Sequence, residues 1–231
     1  MSLLSVKNLT KRFGSVLAVN DLSFSVNAGE ILAVMGPNGA GKSTLFSMIA
    51  GYLKPDQGEI WFGGQHQVKQ GLWRRVRSGL GYVPQQTVGF VDLTLWDNMV
   101  FSKMTDQAIE ESLHNVGLQD RHQVPLGQLS GGERRRFDLA RCLIQKPSVM
   151  ILDEPFAGLD PIAIQDLCLR IRELANEGLA VVVSDHSVQT TLRLCHQAII
   201  MDFGTCVLKG TPREVSESQL VRERYLGWGA E

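Results

Sequence analysis

Gly36-Pro37-Asn38-Gly39-Ala40-Gly41-Lys42-Ser43 sets glycines, a lysine and a hydroxyl in the GxxxxGK[ST] spacing, directly after the apolar run Ile31–Met35. The chemistry of such a loop is phosphate binding. Its glycines expose backbone N–H groups, and a helix opening at Lys42 turns its positive dipole end toward the same anion. Lys42 is expected to reach the β- and γ-phosphates of a nucleotide, and Ser43 to meet Mg²⁺. A second constellation, Asp153-Glu154, follows the apolar run Val149–Leu152, so a strand would deliver two adjacent carboxylates. Mg²⁺ keeps several waters and takes few protein carboxylates, which suits Asp153. Glu154 is then the candidate base that orients or deprotonates an attacking water. A third group is Leu129-Ser130-Gly131-Gly132-Glu133. Ser130 and Glu133 read as a capping box, and the helix start that they cap also offers N–H donors to an anion.

These groups must be held by something. Ile31–Met35, Val149–Leu152 and Leu179–Val183 are unbroken apolar runs, as expected of parallel strands covered on both faces by helices. Ligands of open α/β sheets bind beyond the carboxyl ends of such strands, so Gly36–Ser43, Asp153-Glu154 and Ser184–His186 are expected to converge. Leu22, Phe24 and Val26 alternate with Ser23 and Ser25, and Glu59–Phe62 faces Gln65–Val68 across Gly63-Gly64. Period-two alternation and a two-residue turn predict an antiparallel patch. From Thr94 to Ile144 the pattern is helical: Thr94 caps a helix carrying Trp96 and Met99, Ile109, Leu113 and Val116 recur after Asp106, and Phe137, Ala140 and Ile144 follow the capping box. Asp160 and Pro161 open a further helix with Ile164, Leu167, Ile171 and Leu174 on one face, ending by Gly178. Thr211-Pro212-Arg213-Glu214 opens a terminal one. Asp202-Phe203-Gly204, between Ala198–Met201 and Thr205–Leu208, reads as a hairpin turn.

At 231 residues the chain can bury about 70–75% of the surface its unfolded form exposes, so one domain without disulfides or structural metals is expected. Charge is balanced, 23 Lys+Arg against 24 Asp+Glu, which removes the electrostatic signature of a nucleic-acid binder. Arg134, Arg135 and Arg136 are therefore expected to form a solvated or carboxylate-paired face. Apolar runs stop far short of the roughly 20 residues that cross a bilayer, and the amino terminus lacks a signal-peptide layout. A cytoplasmic protein without a membrane span is the expectation. Cys142, Cys168, Cys195 and Cys206 are scattered, without metal-ligand spacing, and buried thiols are expected of them.

The phosphate loop, the pentapeptide and the Asp-Glu pair together resemble the ATP-binding subunits of ABC transporters, from about Leu3 to Gly227. The resemblance implies an α/β P-loop ATPase fold: a mostly parallel sheet, an amino-terminal antiparallel β subdomain and an inserted helical subdomain. It divides the chain into a nucleotide-binding core at 1–85 and 145–231 and a helical subdomain at 86–144. It also implies ATP and Mg²⁺ as cofactors and extends the phosphate contacts to Thr44. Gln85 matches the family's glutamine that reports Mg²⁺ and water occupancy to the helical subdomain, and would join Ser43 and Asp153 around the metal. His186 matches the histidine on the γ-phosphate, Asp160 the aspartate of the loop crossing a dimer interface, and Phe13 the aromatic that stacks on adenine, where the family more often has Tyr. Ser130, Gly131 and Gly132 of a second copy would close each ATP site in a head-to-tail homodimer. Glu133 departs from the family's usual Gln.

Phe90, Leu93, Leu95 and Trp96 follow Gln85 where the family docks a transmembrane permease, with some of them expected in the core. That implies a protein peripheral on the cytoplasmic face of the membrane. Asp153–Pro161, Ser184–Val188 and the tail Arg224-Tyr225-Leu226-Gly227 resemble lipopolysaccharide-export ATPases most, with branched-chain amino-acid importers next. Two further classes compete: soluble ABC ATPases, which normally carry two cassettes or a long coiled coil, and nucleotide-binding regulators that lack Glu154 or the pentapeptide.

Overall fold

The computed structural model describes residues 2–219 and 221. Its strands form two sheets. The first is antiparallel, of order β2-β1-β4-β5, from β1 (Ser2–Phe13), β2 (Val16–Asn27), β4 (Gln57–Phe62) and β5 (Gln65–His66). In the second, β6 (Leu80–Val83), β7 (Val149–Asp153), β8 (Ala180–Ser184), β3 (Ile31–Met35) and β9 (Gln197–Asp202) run parallel as neighbours, and β10 (Thr205–Gly210) closes one edge antiparallel.

Helix α1 (Lys42–Ala50) follows β3, and α2 (Leu72–Arg77) precedes β6. The stretch between β6 and β7 holds α3 (Leu95–Val100), α4 (Asp106–His114) and α5 (Gly131–Leu143). Helices α6 (Pro161–Asn176), α7 (Val188–Leu194) and α8 (Pro212–Glu217) complete the α-helices among the described residues.

Why the central runs are apolar throughout is visible in the packing. Ile31, Ala33 and Met35 of β3 and Met150 and Leu152 of β7 enter a core shared with α3 to α8. Leu32, Val34, Val149 and Ile151 enter a second core, with α1 and the inner face of the antiparallel sheet. Each strand is thus covered on both faces. The buried guanidinium of Arg75 joins parts of that second layer. It donates to the Ile49 carbonyl at 2.7 Å, the Gln67 carbonyl at 3.0 Å, the Gln70 carbonyl at 2.8 Å and the Met48 carbonyl. A cation thereby binds carbonyls of the last turn of α1, where the helix leaves acceptors short of partners.

Several boundaries shift. β8 begins at Ala180 rather than Leu179, and β7 extends to Asp153. The helix expected after Asp106 is capped by Thr105 and ends at His114, which leaves Val116 buried just beyond it. β1, β6, α2 and α7 are further elements that the sequence reading does not predict. The tail Arg224–Gly227 lies outside the described residues.

Candidate functional site

The loop after β3 is shaped by close contacts as much as by its own sequence. A Cβ at Gly36 would stand 2.1 Å from the Met201 carbonyl oxygen, and one at Gly41 2.1 Å from that of Ala18, so neither position admits a side chain. Gly204 N–H donates to the Ala40 carbonyl at 3.0 Å, which ties the loop to the β9–β10 turn. Lys42 is buried and donates to the carbonyls of Gly36 at 2.8 Å and Pro37 at 3.0 Å. Burial lowers its ammonium pKa, against the opposing pull of Glu154, Asp153 and Asp185. An ammonium held there is a preorganised donor suited to phosphate oxygens.

Asp153 and Ser184 are register partners at the ends of β7 and β8. Ser184 Oγ donates to Asp153 Oδ1 at 2.7 Å, and the Tyr82 hydroxyl donates to Oδ2 at 3.3 Å. Burial and the Asp153 charge push the Tyr82 phenol upward, so it stays a donor. Each Asp153 oxygen keeps a free lone pair, which fits a water-bridged approach to Mg²⁺.

Glu154 adopts the left-handed region, φ 49°, and its N–H donates to the Ser184 carbonyl at 2.9 Å. This turns its side chain away from that of Asp153. Glu154 Oε2 accepts from Gln85 Nε2 at 2.5 Å, and Oε1 lies 3.3 Å from His186 Nδ1. Asp185 fixes the loop carrying His186 by accepting from the N–H groups of Phe156 at 3.2 Å and Ser187 at 2.8 Å. Lys42, Gln85, Asp153, Glu154 and His186 are therefore brought to one place, as the strand ends require.

A cavity of about 390 Å³ opens there, lined by Asn38, Gly39, Gly41–Thr44, Glu154, Val16–Ala18 and Phe203. The sequence marks Phe203 only as a hairpin residue; the turn is present, but its ring is 85% exposed and walls the cavity. No local signal announces that role, which depends on the Gly204–Ala40 contact. Phe13 is 49% exposed, not core, with Lys11 Nζ 5.5 Å from its ring centroid; it is the register partner of Val16 and stands outside the cavity lining. A larger cavity of about 730 Å³ beside Trp96, His114 and His122 has none of these phosphate-binding groups.

Ser130 caps α5 as expected: Glu133 N–H donates to Ser130 Oγ at 3.2 Å, and Ser130 N–H donates to Glu133 Oε2 at 2.9 Å. Arg121 Nε holds the other Glu133 oxygen at 2.9 Å, and with the capping contact it draws the Glu133 pKa down to about 2. Glu133 is thus committed to its own helix. Gly132 packs so close to α6 that a Cβ would come 2.9 Å from the Ala163 Cβ. Asp160 caps α6 through the N–H groups of Ile162 and Ala163, both at 3.0 Å. Ser130, Gly131, Gly132 and Asp160 do not line the 390 Å³ cavity of their own chain.

Two expectations are met only in part. Arg135 is buried, 7% exposed, and not on a solvated face: it reaches inward to backbone carbonyls of the Gln85 loop and pairs with the Asp138 carboxylate, as the paired alternative expects, while Arg134 and Arg136 are half-buried. Only Cys195 is fully buried; Cys142 and Cys168 are half-buried and Cys206 is exposed on the edge strand β10. Of the apolar residues after Gln85, Leu95 belongs to the core, whereas Phe90 is 59% exposed and packs on exposed Phe101 at 5.3 Å between ring centroids, beside Val88, Val91 and Val100. No helix among the described residues is long and apolar enough to cross a membrane.

The ABC transporter family model matches residues 19–157, a span that holds the phosphate loop and the Asp153-Glu154 pair. The chain belongs to the ABC transporter ATP-binding family. Its fold is that of an ABC ATPase, and it is an ATP-hydrolysing enzyme of that family. It is 39% identical over 242 residues to the lipopolysaccharide export system ATP-binding protein LptB of Haemophilus influenzae, covering 98% of both chains. The LptB of Escherichia coli K12 is also 39% identical, over 240 residues and 98% of both chains. A probable ABC transporter ATP-binding protein of Azorhizobium caulinodans reaches 39% over 97% of this chain and 83% of its own length. Among solved structures, the ADP conformation of an ABC transporter cassette superposes with a TM-score of 0.92 at 25% identity, over 98% of this chain and 99% of that one.

Proposed function

We propose that two copies of this chain clasp two ATP·Mg²⁺ head to tail and drive a transmembrane permease of the lipopolysaccharide-export type from the cytoplasmic face of the membrane. The observation that carries the proposal is the split of the site. In one chain Lys42, Ser43, Thr44 and Glu154 line one cavity, with Gln85 and His186 against the Glu154 carboxylate and Asp153 next to it in the chain, yet the capped start of α5 does not line that cavity. A second copy, turned about a two-fold axis, would supply Ser130, Gly131 and Gly132 as backbone donors to the terminal phosphate, with Asp160 at the seam.

Bound Mg²⁺ would neutralise charge building on the phosphates, with Ser43, Gln85 and water-bridged Asp153 as its protein contacts. Glu154 orients the attacking water and takes its proton, while His186 and Gln85 fix the direction of the carboxylate. Lys42 neutralises the β- and γ-phosphate oxygens as the bond to the leaving group lengthens. Phe13 and Phe203 would flank the base.

Phe90, Phe101, Val88, Val91 and Val100 make an exposed apolar patch of the kind that marks a protein interface, and we assign it to the permease. Phe90→Asp should release the permease and leave nucleotide binding intact; retained co-purification would refute that assignment. Lipopolysaccharide as cargo rests on the two LptB proteins matched over nearly their whole length. ATPase rates of the chain in membrane discs with its own permease decide it: stimulation by lipopolysaccharide supports the proposal, and stimulation by a branched-chain amino acid with its binding protein replaces it.

A further inference from the structure

Arg135 lies between α5 and the groups around Glu154, and it does not line the nucleotide cavity. Its Nη1 donates to the Pro84 carbonyl at 2.9 Å, and its Nη2 donates to the Gln85 carbonyl, with a longer 3.5 Å contact to the Glu154 carbonyl. Within α5 it pairs with Asp138 at 3.5 Å, and Asp138 in turn accepts from Thr87 Oγ1 at 2.7 Å. Arg135, Asp138 and Thr87 thus form a closed network across the Gln85 loop, with both charged members buried. A planar guanidinium can span successive carbonyls, which a point charge cannot.

The geometry points to Arg135 as the positioning residue that couples the two ATP sites. The inference rests on the head-to-tail dimer proposed above. In that dimer the start of α5 grips the phosphate bound by the opposite copy, and Arg135, one helical turn further along, grips Gln85 and Glu154 of its own. Movement of α5 onto the opposite γ-phosphate is then carried to the loop whose glutamine holds the Glu154 carboxylate at 2.5 Å. Occupancy of one site sets the readiness of the other. Coupling of this kind needs a packed element that both sites bias, and α5 is such an element.

The test compares the ATP-concentration dependence of hydrolysis by the full chain with that of Arg135→Gln. The unaltered chain should respond steeply, with a Hill coefficient approaching about 2 for two linked sites. Arg135→Gln should fall to about 1 and lose about tenfold in kcat, the scale on which supporting groups act. A merely structural role would lower the amount of active enzyme without changing the shape of the curve. Arg135→Lys, which keeps the charge beside Asp138 but not the fork, should also flatten it, and it stands in if Arg135→Gln does not fold. Equal steepness in variant and parent, or a parent with no steepness, overturns the inference. Sedimentation of Glu154→Gln with ATP separates the two levels: if that variant with Arg135 intact does not dimerise, the dimer proposal itself fails.

Discussion

Gln85 Nε2 donates to Glu154 Oε2 across 2.5 Å, so the carboxylate assigned to the attacking water is aimed by the loop that leads into the helical subdomain. Glu154→Gln should bind ATP with near-parental affinity and lose about 10²–10³ in kcat, the usual cost of removing a preorganised group of an active site. Gln85→Ala, which leaves His186 beside the same carboxylate, should lose less. Single-turnover hydrolysis alongside calorimetric ATP binding checks both; a Glu154→Gln variant of full activity would remove Glu154 from the mechanism.

Gly132 faces Ala163 with no room for a methyl group. Gly132→Ala should destabilise the fold by about 1–3 kcal/mol through overpacking, and Ala163→Gly added to it should recover most of the loss. Denaturant unfolding reads the packing effect, and hydrolysis reads the phosphate role. Recovered stability with hydrolysis still impaired would show that the glycine serves both.

Phe203 should contribute to nucleotide affinity although its turn looks like an ordinary connection. Base stacking on an aromatic ring contributes about 1–3 kcal/mol, so Phe203→Ala should raise the Kd for ATP at least about fivefold. Phe13→Ala measured in parallel tells which ring carries the base; an unchanged Kd for both would leave the Val16–Ala18 wall as the base contact.

Arg121 and the Ser130 N–H hold Glu133 at about 2, below its ordinary range. A carboxyl depressed on folding stabilises above its unfolded pKa, and that contribution fades as pH falls through the folded value. The stability advantage of the parent over Glu133→Gln should therefore be full at about pH 6 and shrink from about pH 4.5 toward 2. Denaturation midpoints at several pH values measure it, and a gap that is constant with pH would assign the cap to shape instead of charge.

The chemistry of this chain is legible in its sequence because it is local. Gly36–Ser43, Asp153-Glu154 and the Ser130–Glu133 box each declare themselves within a few residues of a strand end or helix start, and the structure brings the first two together with His186. What stays hidden is what depends on partners far along the chain. β1 is joined to β2 by a short hairpin but takes its place in the sheet by pairing with β4, and β6 by pairing with β7, both far along the sequence. Arg135 looks identical to Arg134 and Arg136 in a basic triplet, and only the helix phase that turns it toward Pro84 and Gln85 sets it apart. Phe203 gains its role through the hairpin's attachment to the phosphate loop.

The left-handed backbone of Glu154, φ 49°, carries a consequence of its own. A long side chain in that region costs on the order of 1 kcal/mol, a penalty that asparagine largely escapes. The chain therefore accepts that strain to hold the carboxyl proposed for the attacking water against Gln85 and His186. Glu154→Asn should relax that backbone while giving up the contacts to Gln85 and His186, and it should abolish hydrolysis.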